Sequence, residues 1–241
     1  MGKSITKIYT RGGPISSLEN RHLSFGRLNG KVLKNEKYTA WTDTSTGHVS
    51  HEALVIFIGK TGYGKSTTVN SIFGKNIMRT SDVSACTREC NSIDYEISKN
   101  NYFSFADLPG IGEDAAKDSE YLDLYRSFID LSTTIVYILR ADTRDYSIDE
   151  SAFRKLFSDS AQKSKVVIGL NCCDKIEPIN RKQCFGPTAE QEKNINRKIT
   201  FLREKFKPKN KIVPYSAATG WNIDLLIDEM ILATLRIDNL A

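Results

Sequence analysis

Residues 59–66 read Gly-Lys-Thr-Gly-Tyr-Gly-Lys-Ser and follow directly on the apolar run Val55-Ile-Phe-Ile58. These residue types suit phosphate. Glycines let backbone N–H groups converge on anionic oxygens where Cβ atoms would crowd them, and a helix beginning at Lys65 adds partial positive charge. Lys65 supplies a point charge to the β- and γ-phosphates, the Ser66 hydroxyl coordinates Mg2+, and the Thr67 backbone reaches the α-phosphate. The spacing satisfies G-x-x-x-x-G-K-[ST] at every fixed position, with a strand expected before it and a helix after it. Gly59, Lys60, Thr61, Gly62, Tyr63, Gly64, Lys65, Ser66 and Thr67 are therefore the expected phosphate-binding residues, for a nucleoside triphosphate or its diphosphate.

Three later segments bear on which base is held and whether the phosphate is cut. Phe105-Ala-Asp107-Leu-Pro-Gly110 places a carboxylate at a strand end, where it can hold Mg2+ through water, and a glycine N–H that can bond the γ-phosphate. Asn171-Cys172-Cys173-Asp174 ends another strand. A carboxylate at Asp174 can accept from both the ring N–H and the amino group of guanine; adenine offers no such pair and would leave the carboxylate unpaired. Ser216-Ala217 ends the last strand, and the Ala217 N–H is placed to meet the guanine carbonyl oxygen. An ATP-using enzyme leaves Asn171-x-x-Asp174 unexplained.

These loops need a frame. Apolar periodicity predicts strands at 53–58, 91–98, 101–106, 133–139, 164–170 and 211–215, alternating with helices at 65–73, 119–130, 147–158, 188–206 and 223–235. In the 188–206 helix Ile195, Ile199, Leu202 and Phe206 form one stripe. Alternation of this kind, with the P-loop at its first strand end, implies an α/β fold: a three-layer P-loop fold with about six mainly parallel strands and helices on both faces. Sites in such folds lie at the strand C-terminal ends, where every candidate segment falls. Residues 1–50 lack this periodicity and read as an N-terminal extension, with Asn29-Gly30 suited to a hairpin turn. Residues 51–241 are the expected nucleotide-binding domain.

With 241 residues and 40% hydrophobic content the chain can bury a core. No apolar run approaches the ~20 residues that span a bilayer, and the expected location is the cytoplasm. Five scattered cysteines, Cys86, Cys90, Cys172, Cys173 and Cys184, make no disulfide framework and read as reduced thiols. Charge is uneven. Residues 1–37 carry eight Lys or Arg against two Glu, and residues 181–211 carry ten against three. Such stretches either meet RNA, a ribosome or an anionic membrane, or form solvated faces.

Together these segments resemble the Era-like group of TRAFAC GTPases over about residues 53–237, with particular likeness to Era-related GTPases carried on enterobacterial prophages. The shared features are Asp107-Leu-Pro-Gly-Ile-Gly-Glu113, Arg140-Ala-Asp142-Thr-Arg144 and Asp174-Lys-Ile-Glu-Pro178. The resemblance implies GTP or GDP with Mg2+, and makes Thr87 the switch threonine that closes on Mg2+ and the γ-phosphate, with Thr80, Ser81 and Ser84 as rivals. It assigns catalysis to Lys65, Thr87 and Gly110, and metal contacts to Ser66, Thr87 and Asp107. Three departures stand out. Cys172 replaces the lysine of N-K-x-D, whose stem would cover guanine. Gly62 stands where potassium-activated relatives carry Asn. Ile111 follows Gly110 where a glutamine would orient water, so intrinsic GTPase turnover is expected to be slow. Arg88, Arg140 and Arg144 are candidates for an arginine finger in a homodimer of G domains, or for surface ion pairs. A septin-like assembly module with negligible turnover is the alternative reading.

Overall fold

The structure is a computed structural model that describes residues 39–42, 49–74, 76, 91–98, 101–111, 122, 125–179 and 185–236. The Asn29-Gly30 hairpin, Thr87 and its rivals, Arg88, Glu113, Cys86, Cys90 and Cys184 lie outside the described residues.

Strand β2 (Val49–Ile58) is the axis of the sheet. Its residues 53–58 are all apolar and all buried, as a strand covered on both faces requires. With β1 (Thr39–Thr42), β3 (Asn91–Ser98), β4 (Asn101–Asp107), β5 (Thr134–Arg140), β6 (Val166–Asn171) and β7 (Ile212–Pro214) it forms a seven-stranded sheet of order β3-β4-β2-β5-β6-β7. Five strands, β4, β2, β5, β6 and β7, run parallel, while β3 joins β4 antiparallel. The seventh strand is one more than expected and comes from the extension. Residues 49–52 of β2 precede its pairing with β5, which begins at Val55, and β1 fills that flank antiparallel, from Thr39↔Glu52 to Thr42↔Val49.

Strand residues alternate between two cores. Leu54, Ile56, Ile58, Ile135, Tyr137, Leu139, Ile168 and Leu170 face one side. There they meet a helix over residues 125–131 (α2), α3 (Ser147–Leu156) and α5 (Ala189–Phe206), which contribute Tyr125, Phe128, Phe153, Leu202 and Phe206. Val55, Phe57, Val136, Ile138 and Val167 face the other side. They meet α1 (Lys65–Phe73) and α6 (Ile223–Arg236) through Val69, Ile72, Leu226, Ile227 and Met230. Each such side chain, fully buried, contributes about 1.5–3 kcal/mol. The 188–206 helix begins as its sequence predicts. Thr188 and Gln191 form a reciprocal capping box, and Ile195, Leu202 and Phe206 are buried. One boundary shifts: Ser164, expected to open the 164–170 strand, ends a short helix, Ser160–Ser164 (α4), capped by Asp159, and β6 starts at Val166.

This topology carries Gly59, Asp107, Arg140, Asn171 and Tyr215 to one edge, at the ends of β2, β4, β5, β6 and β7.

Candidate nucleotide-binding site

The loop at the end of β2 is shaped by its glycines. Gly64 has φ 86°, and a Cβ there would stand 2.5 Å from Asn171 Nδ2. Only glycine fits both conditions. The Gly64 carbonyl accepts from the Thr68 N–H at 2.8 Å and from Thr68 Oγ1 at 2.7 Å, which locks the loop onto α1. Lys65 is buried, and its Nζ donates to the Gly59 and Lys60 carbonyls at 3.1 and 3.3 Å. The ammonium thus curls back over the loop instead of extending into solvent.

The β4 loop packs on this one. The Ile111 N–H donates to the Gly59 carbonyl at 3.2 Å, and a Cβ on Gly110 would come within 1.9 Å of Thr61 Oγ1. Gly110 and the phosphate loop therefore touch, backbone to side chain. Ser66 Oγ donates to Asp107 Oδ2. Asp107 is 1% exposed. A hydroxyl and a buried carboxylate joined at the mouth of an anion-binding loop are hard oxygen donors of the kind Mg2+ takes, and Mg2+ in such sites needs only one or two protein ligands beside phosphate oxygens. Ser66 and Asp107 fit that role. Among the described residues no cluster of three metal-binding side chains exists.

The segments expected to read the base are joined to the phosphate loop and to each other. Asn171 Nδ2 donates to the Tyr63 carbonyl at 3.0 Å, and Asn171 Oδ1 accepts from the Ala217 N–H at 3.0 Å. Ser216 Oγ donates to Asp174 Oδ1 at 2.7 Å and accepts from the Thr219 N–H. Asn171 is thus a tie-bar, and Ser216 orients the Asp174 carboxylate. The Ala217 N–H is engaged with Asn171 here, so a base carbonyl reaching it shares or displaces that bond. Cys172 sits at φ 63°, and burial pushes its thiol up to about 11, so it is neutral at ordinary pH.

One residue of the site escapes a reading from spacing alone. Asp149, in the first turn of α3, is fully buried and accepts from Tyr63 Oη at 3.2 Å through Oδ2, while its Oδ1 has no partner. Burial raises its pKa to about 6, against opposing pulls from Lys60 and the Tyr63 hydrogen bond. In sequence it resembles any acid near a helix N-terminus; only the packing of α3 beneath the loop gives it this contact. Arg140, expected as an arginine finger or in a surface ion pair, is in a partly exposed ion pair with Asp142. Its Nε and Nη2 bind Asp142 at 2.9 and 2.6 Å, and its Nη1 donates to the Gly62 carbonyl at 3.3 Å. Arg144 is exposed.

A family profile described as 50S ribosome-binding GTPase matches residues 54–172. Residues 54–172 carry a P-loop G domain of the kind this profile describes. It is 32% identical over 181 residues to YfjP of Escherichia coli (strain K12), an alignment that takes in 75% of this chain and 62% of that protein's own length. Among solved structures, Era bound to MgGDPNP and a 16S ribosomal RNA fragment superposes with a TM-score of 0.61 at 22% identity, covering 76% of this chain and 57% of that one. Chloroplast translocon components atToc33 and psToc159, for which dimerisation is important for GTPase activity, give a TM-score of 0.63 at 16% identity, covering 91% of both chains. These likenesses place the G domain on the fold already described, and no described helix is long and apolar enough to cross a membrane.

Proposed function

We propose that the protein binds GTP and GDP with Mg2+, hydrolyses GTP slowly, and acts as a conformational switch. The observation that carries this reading is the hydrogen-bonded chain from the Tyr63 carbonyl through Asn171 to the Ala217 N–H, with Asp174 held by Ser216 at its flank. It joins a phosphate-binding loop to a carboxylate suited to guanine.

In this reading Lys65 and the loop N–H groups neutralise the charge that develops on the phosphate oxygens as water attacks the γ-phosphorus in line and GDP leaves. Ser66, Asp107 and Thr87 would hold Mg2+, which would supply further neutralisation of the phosphate charge. Thr87 and Gly110 respond to the presence of the γ-phosphate, and its loss changes what their segments present to a partner. Slow turnover follows from Ile111. Its side chain is 8% exposed and belongs to the hydrophobic core, so it offers no group that orients water.

Base choice is tested with one substitution. Asp174→Asn replaces an acceptor by a donor opposite the guanine amino group. GTP affinity falls and xanthosine nucleotides are preferred, read by competition for bound nucleotide. Unchanged GTP preference in that variant sinks the base assignment, and equal binding of ATP and GTP by the native chain sinks the guanine reading altogether.

A second reading has support in the missing water-positioning group: a second G domain supplies it, as the dimerisation named for the translocon GTPases suggests. An assembly module with negligible turnover is the limiting form of that reading.

A further inference from the structure

The base-reading strand end lacks one part. At Cys172 the side chain is short, neutral and turned by a left-handed backbone, so it neither bridges to the phosphate loop nor spreads along a purine. The neighbouring strand offers what is missing. In the parallel β5–β6 register Arg140 lies opposite Asn171, and the Ala141 N–H donates to the Asn171 carbonyl at 2.8 Å. Arg140 therefore stands beside the residue that precedes Cys172, close enough that the arginine charge acts on the thiol. From there its guanidinium crosses to the phosphate loop and donates to the Gly62 carbonyl.

We propose that Arg140 replaces the absent lysine of the base-reading signature, clamping the phosphate loop at Gly62 and forming the wall on which the guanine ring lies. The proposal rests on the guanine-nucleotide reading of the site. Three features support it. The fork to Asp142 fixes the guanidinium plane, and both side chains remain partly exposed, at 29% and 23%. An exposed pair two residues apart contributes little to stability, so the function of the fork is orientation. A planar, delocalised cation also suits a purine face, where it stacks as a lysine stem packs. Finally, Arg140 has three N–H contacts within its own chain, through Nε, Nη1 and Nη2. That engagement favours a role in its own site over one as a finger inserted into a neighbour's.

The test is a double-substitution cycle on the full chain, using the affinity and dissociation rate of a fluorescent GDP analogue. Arg140→Ala weakens GDP binding about tenfold, mainly through faster release. Arg140→Gln, which keeps polarity but not the charged plane, behaves similarly. Cys172→Lys alone gives no gain, because two cations then compete for the Gly62 carbonyl. In the Arg140→Ala background the same lysine restores affinity to within about threefold of the native chain, a coupling between sites that independent residues do not show. The thermal midpoint without nucleotide stays at the native value in all four variants. Arg140→Ala binding GDP within about twofold of the native chain overturns the proposal, as does a loss that Cys172→Lys fails to restore. A native chain that binds no guanine nucleotide overturns the underlying reading instead, which the native control reveals before any variant is compared.

Discussion

At the scale of single residues, the site is built from groups that hold one another before any ligand arrives. Asn171 and Ser216 make contacts to other loops and Lys65 folds back on its own, so the loops are pre-positioned by side chains that the sequence singles out as candidate ligand-binding groups. Asp149 is the exception. It is a buried carboxylate whose only described side-chain partner is the Tyr63 hydroxyl, and burial holds its pKa near 6, above the 3.8 of an unfolded aspartate. The native state therefore binds a proton at Asp149 more tightly than the unfolded chain does. The stabilisation is complete below the unfolded value and is lost as pH rises through about 6. Asp149→Asn removes that titration and keeps an acceptor for Tyr63. Thermal midpoints measured from pH 4.5 to 7.5 should show the variant gaining on the native chain as pH rises, with the gain levelling off above about 7. A difference between the two that is independent of pH would mean that Asp149 does not titrate in this window.

At the scale of elements, the parallel sheet was legible because its strands carry uninterrupted apolar runs, and the phosphate loop because glycines, lysine and serine have few other uses at that spacing. The resemblance to Era-like domains extended that reading to the loops after β4, β6 and β7. Two things were hidden. Strand β1 was illegible because a short antiparallel edge strand has no long pattern; it forms only because β5 starts at Thr134 and leaves the first residues of β2 with an open flank. Arg140 was legible as a cation but not by its contact to the phosphate loop, since its partner Gly62 lies far away in sequence. The β1 contact has a measurable consequence. A chain starting at residue 43 loses the four-residue ladder to β2, worth roughly 2–4 kcal/mol from its backbone hydrogen bonds, relative to a chain starting at residue 39. GDP affinity should be the same for both, because β1 pairs with the start of β2 and the phosphate loop follows the other end. A large difference in affinity between the two would show that β1 shapes the site as well as the sheet.

At the scale of the whole molecule, the basic stretch at 181–211 is less available than its composition suggests. Lys198 donates to the Thr143 carbonyl at 2.7 Å, Lys205 pairs with Glu150 at 2.7 Å, and Lys209 bonds Ser160. Part of that charge thus ties α5 and the residues after it to α3 and α4, which weakens the case for an RNA-binding face there. The catalytic question is different in kind, because Ile111 is buried in the core and carries no polar group to orient water. A buried apolar residue cannot be recruited by a small movement. Any efficient hydrolysis must bring a polar group from another segment or another molecule, and these two sources scale differently with concentration. GTP turnover per molecule, measured across a hundredfold range of protein concentration with Mg2+ and either Na+ or K+, separates them. If copies of this chain complete each other's sites, turnover per molecule climbs with concentration and saturates as dimers fill, and substitutions at the contact abolish the climb while leaving GDP affinity intact. A rate that stays flat and near zero assigns the missing group to a different partner, or makes bound GTP a structural signal whose cleavage is incidental. A flat but substantial rate, within the ~1–100 s⁻¹ of well-equipped phosphoryl-transfer enzymes, contradicts the slow-turnover reading itself and returns the water-positioning role to a group within this chain.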